Sequence, residues 1–386
     1  MRLVSLQLAD YRNYRNLSCG FSPGITMVTG DNAQGKTNLV EAIHYLSIGR
    51  AYRQARDEQL VRWGAKAFRI KAETESRQGG ADIEIEYRND ERPPKTILLD
   101  GLRRTKWEDM SGALMSVLFS PESMSIIKGQ PQERRNFLDH DIAQISMAYS
   151  VDLYKYRRLL AQRNALLKRL GLASAPLAAK KEQLAVWDEQ LFVCGSRIVE
   201  KRLAFLGKMM PMTRLLHRKL TAGKENIELR YIHYGQKYAS PGKTPATGAA
   251  AGEILGFLQD VRENALMDDL RNGLTQWGPH RDEVSILLDG ADMRQYGSQG
   301  QQRTGVLALK LAELEIFRGE SGEYPILLLD DVLSELDESR QRQLLSVVNE
   351  KSIQCLITAT VDGGGVFAEK RERKHYRVIQ GEIREV

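Results

Sequence analysis

The most constraining feature of the chain is the run Gly30-Asp31-Asn32-Ala33-Gln34-Gly35-Lys36-Thr37, a complete GxxxxGK[ST] loop. An apolar stretch, Ile25–Thr29, precedes it, and a run with Leu39, Ile43 and Leu46 at helical spacing follows. Strand, loop and helix in that order form an anion cradle, because backbone N–H groups at a helix N-terminus converge on one site. The two glycines let the loop wrap phosphates closely. Lys36 supplies charge for the β- and γ-phosphates and Thr37 a hydroxyl for Mg²⁺. Residues 30–37 are therefore the predicted ATP-binding loop, and an α/β domain with a parallel sheet is the predicted fold.

A second element pairs with the first. Ile326-Leu327-Leu328-Leu329 is a buried-strand sequence that runs into Asp330 and Asp331. The first carboxylate is placed to hold Mg²⁺, directly or through water, and the second to polarise the attacking water. Ser116–Phe119 and Cys355–Ala359 have the same apolar composition and read as further parallel strands. Ile83, Ile85 and Tyr87 alternate with charged residues, as in a strand with one wet face. Asp100-Gly101 and Asp289-Gly290 are hairpin signals.

Residues 122–270 read differently. Leu153, Tyr156, Leu160, Leu167 and Leu170 follow three-four spacing, interrupted by Arg163. Leu184, Trp187, Leu191, Cys194 and Ile198 continue it after a turn at 171–176, and Pro211 is expected to end or kink this second helix. Two such helices make an antiparallel arm. Residues 240–252 and the Gly363-Gly364-Gly365 run read as loops. The predicted architecture is an α/β P-loop ATPase head in two halves, 1–121 and 272–386, with a mostly helical arm domain at 122–271 inserted between them.

Composition narrows the function classes. The 386 residues carry a net charge of +6 and three scattered cysteines, which excludes a disulfide framework or a CxxC zinc module and suits a reducing cytoplasm. No apolar run is long enough to span a bilayer, and the opening residues read as a charged strand, not a secretion signal. Residues 151–220 hold fifteen basic and five acidic side chains, +10, while the rest of the chain sums to −4. The arm, with Lys155 and Arg158, is a candidate wall for DNA phosphates. A second basic cluster, which opens with Arg50, Arg53 and Arg56, follows the P-loop helix beside Tyr52, and these three are expected to contact DNA phosphates, the alternative being ion pairing with Asp57 and Glu58.

Ser298-Gln299-Gly300-Gln301 precedes a helical run about 30 residues before the paired aspartates. It resembles the signature motif of ABC-type ATPases, and Ser334-Glu335-Leu336-Asp337 resembles their D-loop. With ADYRNYRN, Phe119-Ser120-Pro121-Glu122, Gly278-Pro279-His280-Arg281-Asp282-Glu283 and LLLDDVLSELD, the ordered set resembles the RecF family of bacterial DNA recombination and replication-repair proteins, itself similar to the heads of SMC-type ATPases. The resemblance covers nearly the whole chain. It implies ATP-dependent homodimerisation, with Ser298, Gly300 and Gln301 of one subunit at the γ-phosphate held by the other. It also implies slow ATP hydrolysis, DNA binding at gapped or single-strand/double-strand sites, RecO and RecR as partners in loading RecA, and a part in the SOS response. The catalytic set is then Lys36, Ser298, Asp330 and Asp331. Three positions depart from the wider ABC pattern. Asp331 replaces the usual glutamate, Thr360 stands where a switch histidine is common, and Glu122 occupies the expected Q-loop segment. His280 reads equally well as an ordinary hydrogen-bonded turn histidine. The P-loop and signature also suit the ATP-binding subunit of a membrane transporter, which the charged arm argues against. A GTPase lacks support, since no NKxD motif is present.

Overall fold

A computed structural model describes residues 1–53, 55–360 and 373–386. The Gly363-Gly364-Gly365 run lies outside the described residues. The chain opens with the strands β1 (Arg2–Tyr11), β2 (Tyr14–Gly20) and β3 (Ile25–Thr29), then helix α1 (Lys36–Ile48). Strands β4 (Ala67–Ser76), β5 (Gly79–Arg88), β6 (Lys95–Leu99), β7 (Leu102–Arg104) and β8 (Ser116–Phe119) follow. The middle of the chain holds α2 (Ser125–Lys128), α3 (Pro131–Ile145), α4 (Met147–Leu172), α5 (Leu177–Leu220), β9 (Ile227–Ile232) and α6 (Ala251–Asn272). Then come β10 (Glu283–Leu288), β11 (Ala291–Asp292), α7 (Met293–Tyr296) and α8 (Gln299–Ser321). The last elements are β12 (Ile326–Asp330), α9 (Glu338–Glu350), β13 (Cys355–Ala359), β14 (Arg373–Ile379) and β15 (Glu382–Glu385). Contacts divide the chain into two compact units: 1–124, 219–223 and 303–386 form one, and 125–218 with 224–302 the other.

The first unit has two six-stranded sheets. One is antiparallel, in the order β2-β1-β4-β5-β6-β7. Its strands alternate as the sequence predicts, with Ile83 and Ile85 fully buried and Glu84 and Glu86 partly exposed. The turn between β6 and β7 uses Asp100 and Gly101, both at positive φ, which suits the right-handed twist of a hairpin. The other sheet runs β15-β14-β3-β13-β12-β8, parallel from β14 to β8. All five residues of β12 are buried, as a strand covered on both faces requires. Leu39, Val40, Ile43 and Leu46 of α1 are buried in the same apolar core as Val28, Leu328 and Leu356.

The second unit is mostly helical. Leu166, Leu167 and Leu170 of α4 pack with Leu184 of α5 and with Leu266 and Leu270 of α6. Helix α5 does not end at Pro211 but continues to Leu220. The expected interruption at Arg163 is instead the centre of the packing. Its guanidinium is fully buried, donates to Asp188 at 2.6 Å, Asp269 at 2.7 Å and Thr275 at 2.8 Å, and lies 5.0 Å over the Trp277 ring. Arg202 is a second buried cation, bound to Asp139, the Tyr149 hydroxyl and the Pro279 carbonyl. These two arginines belong to the interior and not to a phosphate-binding wall. His280 is likewise internal. Its Nδ1 lies 2.7 Å from the Tyr156 hydroxyl, and burial pushes the imidazole down to about 3, so it stays neutral.

A buried ion pair adds little over a well-packed apolar substitute, but removing one partner strands the other charge. Arg163→Met leaves Asp188 with only Arg262 and leaves Asp269 without a cation. The expected loss is about 3–5 kcal/mol of stability, read by chemical denaturation. A substitution at the exposed Lys155 should change it by less than about 0.5 kcal/mol.

Candidate functional site: the P-loop and its carboxylates

The phosphate loop leaves β3 at Gly30, whose φ is +152°, and a Cβ there would lie 2.4 Å from the Val378 carbonyl of β14. Gly35 has φ +124°, and a Cβ there would meet the Asn13 amide at 2.6 Å. Gly30 is thus required by close backbone approach as well as by dihedral angle, and Gly35 by its dihedral angle beside the Asn13 and Tyr14 side chains. Lys36 is buried at 4% exposure, and its Nζ donates to the Gly30 carbonyl at 2.7 Å and the Asp31 carbonyl at 3.0 Å. Two of three ammonium donors thus hold the loop in shape around the charge.

The loop is braced from outside in a way the motif alone does not reveal. The β1–β2 turn places Asn13 Nδ2 2.7 Å from the Gln34 carbonyl and the Tyr14 hydroxyl 3.0 Å from the Gly35 carbonyl. Asn38 of α1 donates back to Asn13 Oδ1 at 2.8 Å. The Gln34 side chain accepts from the Gln380 N–H at 2.6 Å. Asn13 and Tyr14 sit in ADYRNYRN, so the signal was in view as a family mark but carried no contact information.

Asp330 ends β12 with its carboxylate buried among hydroxyls. Thr358 Oγ1 donates to Oδ1 at 2.8 Å and Tyr52 to Oδ2 at 3.1 Å, and Thr37 is also hydrogen-bonded to it. Burial raises the Asp330 carboxyl above its ordinary range, and these three hydroxyls oppose the shift by favouring the charged form. A hydroxyl and a carboxylate side by side, Thr37 and Asp330, are hard oxygen donors of the kind that would hold Mg²⁺ alongside phosphate. Asp331 has φ +52°, and its N–H donates to the same Thr358 Oγ1 at 3.0 Å. One hydroxyl therefore holds both the Asp330 carboxylate and the Asp331 backbone. Thr358, Tyr52 and Asn13 are the site residues that sequence reasoning did not assign.

The other expected site residues are distributed unevenly. Arg53 turns toward the carboxylates: its Nε is 3.3 Å from the Tyr52 hydroxyl and 3.9 Å from Glu122. Arg56 is largely exposed beside Glu58 at 3.6 Å, and Arg50 is half-buried. The three arginines thus stand in three different surroundings. Thr360 is exposed just beyond β13.

In the second unit, Ser298 and Gly300 are exposed at the start of α8. The Ser298 N–H donates to Gln301 Oε1 at 2.8 Å, and the Gln301 N–H to Ser298 Oγ at 3.3 Å, a reciprocal capping box. Lys155 and Arg158 are exposed on α4, with Arg158 5.9 Å over the Tyr154 ring. The Gly278-Pro279-His280-Arg281-Asp282-Glu283 run is a structural joint. Gly278 packs against Tyr156, Asp282 accepts from Tyr231 at 2.7 Å, and Glu283 pairs with Arg134 at 2.7 Å. No group of three or more His, Cys, Asp or Glu side chains suited to a metal occurs among the described residues. No helix among them is long and apolar enough to cross a membrane.

Comparison with known proteins places this geometry in a family. The model of the RecF/RecN/SMC N terminal domain matches residues 2–380. The DNA replication and repair protein RecF of Natranaerobius thermophilus is 39% identical, covering 99% of this chain and 97% of its own. That of Symbiobacterium thermophilum is 42% identical over 93% of this chain and 92% of its own. A solved structure of the recombination mediator protein RecF with ATP, in the RecFOR pathway, superposes with TM-score 0.87 at 31% identity, over 100% of this chain and 97% of that one. The Smc head domain of Pyrococcus furiosus matches in fold, with TM-score 0.55 at 18% identity, over 100% of this chain and 95% of that one. The shared head fold, the glycine loop braced by Asn13 and the aspartates joined by Thr358 thus accompany an end-to-end match, and the chain belongs to the RecF family.

Proposed function

We propose that the protein is an ATP-switched, DNA-binding homodimer of recombinational repair and replication restart. It acts in the cytoplasm at gapped or single-strand/double-strand DNA, assists RecO and RecR in loading RecA, and has a part in the SOS response. The observation that carries the reading is the convergence of Lys36, Thr37, Asp330 and Asp331 on one loop-and-strand edge. The RecF name of the full-length relatives and the ATP-bound RecF structures support it. The transporter reading is disfavoured by the same end-to-end relationship.

In this reading, the loop N–H groups and Lys36 bind the ATP phosphates, and Mg²⁺, held by Thr37 and Asp330, balances their charge. Asp331 orients the attacking water, and its side chain is one methylene shorter than the usual glutamate, consistent with slow turnover. Ser298, Gly300 and Gln301 of one subunit meet the nucleotide of the other, so association and ATP binding are linked. Lys155, Arg158, Arg50, Arg53 and Arg56 supply phosphate contacts. Arg53 also lies beside Tyr52 and Glu122, a position suited to relaying DNA contact to the carboxylates.

Removing the Lys36 charge should weaken ATP binding at least tenfold, about 1.4 kcal/mol, by titration of Lys36→Ala with a fluorescent nucleotide. Wild-type affinity in that variant refutes the loop assignment. Asp331→Asn keeps the Asp330 carboxylate and should bind ATP and stay dimeric without turnover, whereas Asp330→Asn should lose Mg²⁺-dependent binding. Sedimentation with ATP, paired with phosphate release, separates the two. DNA affinity should rise with ATP and fall with salt at a log–log slope of about −0.9 per phosphate contact. Charge reversal of Lys155 and Arg158 should flatten that slope by about two contacts' worth while ATP binding is retained. An unchanged slope removes these two residues from the DNA surface.

A further inference from the structure

The signature turn has an anchor that the motif does not include. Gln301 uses both ends of its side-chain amide: Oε1 accepts the Ser298 N–H at 2.8 Å, and Nε2 donates to Glu225 Oε1 at 2.9 Å. A carboxylate can only accept, so Glu225 must face the NH₂ end of the amide. That choice leaves the amide oxygen facing Ser298. Glu225 therefore decides which way Gln301 points, and Gln301 decides where Ser298 sits. The bond is charge-assisted and only partly solvated, with Glu225 22% exposed, so it is stronger than an exposed neutral one.

The surroundings of Glu225 are stiff. Its second oxygen lies 3.8 Å from Nε2 of His217, a fully buried residue in the last turns of α5. Ala222 and Gly223, both at positive φ, turn the chain from α5 toward β9. Asn226 exchanges two hydrogen bonds with Asp289, its N–H donating to Oδ1 at 3.0 Å and its carbonyl accepting the Asp289 N–H at 2.9 Å. From the β10–β11 hairpin the chain passes through α7, capped by Asp292, to the signature, where Gln302 Nε2 donates to the Met293 carbonyl at 2.9 Å. His217, near the end of the arm helix α5, thus lies beside Glu225, and Glu225 is hydrogen-bonded through Gln301 to the Ser298 turn.

We propose that Glu225 is a positioning residue for the signature turn, and that it ties the base of the arm helix α5 to Ser298. The proposal rests on the reading of Ser298 as the residue that meets the partner's nucleotide. DNA held by the exposed lysines and arginines of α4 and α5 then acts on ATP-driven closure through this carboxylate.

The test uses the full chain, with ATP affinity, thermal midpoint, ATP-driven dimerisation and DNA stimulation of ATP hydrolysis measured together. Glu225→Ala should keep the wild-type thermal midpoint and, at protein concentrations where the chain is monomeric, the wild-type ATP affinity. Its dimerisation should require about tenfold more protein, the scale of one lost hydrogen bond to a charged group, and DNA stimulation should fall. Glu225→Gln keeps an acceptor oxygen for Gln301 and should recover most of the loss. Gln301→Glu sets two carboxylates face to face and should block dimerisation. Combining Gln301→Glu with Glu225→Gln restores a donor opposite an acceptor and should restore dimerisation. Ser298→Arg is the control for the underlying reading, and normal ATP-driven dimerisation in that variant refutes the dimer-signature assignment itself. If Ser298→Arg fails to dimerise while Glu225→Ala dimerises and responds to DNA as the wild type does, the role of Glu225 is overturned. If Glu225→Ala proves too unstable to study, Glu225→Lys, which sets a donor against the Gln301 NH₂, takes its place, and wild-type dimerisation and DNA response in that variant overturn the role.

Discussion

The nucleotide site depends on the shared register of three parallel strands. Ala359 of β13 pairs with Thr29 of β3, and Thr358 pairs with Asp330 of β12. Because parallel strands end together at their C-terminal edge, the phosphate loop, the threonine and the aspartates emerge side by side, the general location of ligand sites in open α/β sheets. A slip of one residue in β13 would turn Thr358 to the opposite face and leave both Asp330 and the Asp331 N–H without their shared hydroxyl. The positive φ of Asp331 belongs to the same constraint. The chain must leave the sheet sharply there, and the bond from its N–H to Thr358 holds it in a conformation that L residues seldom adopt.

Phosphate loops are prone to collapse because they expose several N–H groups and pack little apolar surface. Here the loop carbonyls are satisfied from three directions: by Lys36 from within, by Asn13 and Tyr14 from the β1–β2 turn, and by Gly381 after β14, whose N–H donates to the Gln34 carbonyl at 3.1 Å. With the carbonyls of Gly30, Asp31, Gln34 and Gly35 occupied, N–H groups of the loop are the backbone groups suited to meet an anion. The helical unit solves a different problem. Its core contains two fully buried arginines, each paired with buried carboxylate and hydroxyl acceptors. Such pairs add little net stability, but they tolerate few alternative packings of α4, α5 and α6.

Much of the fold was legible in the sequence. The strands Ile25–Thr29, Ser116–Phe119, Ile326–Asp330 and Cys355–Ala359 have the boundaries their apolar runs suggest, since a strand buried on both faces must be apolar throughout. Both Asp-Gly hairpins were legible because few residue pairs accept positive φ twice in succession. Pro211 does not end the helix, because a proline costs one hydrogen bond locally while the 44-residue α5 is held by packing along its length. Arg163 and Arg202 misled because composition counts charges without saying where they point.

By itself, the sequence determined the residue types of the candidate site: a GxxxxGK[ST] loop, a hydroxyl beside it, two carboxylates at a strand end, and a separate Ser-Gly-Gln turn. Those assignments rest on residue type and on spacing within a few residues, which local backbone geometry turns directly into shape. Only the tertiary structure decided which side chains hold that chemistry in place. Asn13 reaches the loop from 21 residues away, Thr358 reaches the aspartates from 27 or 28, and Glu225 reaches Gln301 from 76. Each is a short polar side chain whose role depends on strand register or on the packing of distant turns. No period, propensity or local motif encodes such a distance.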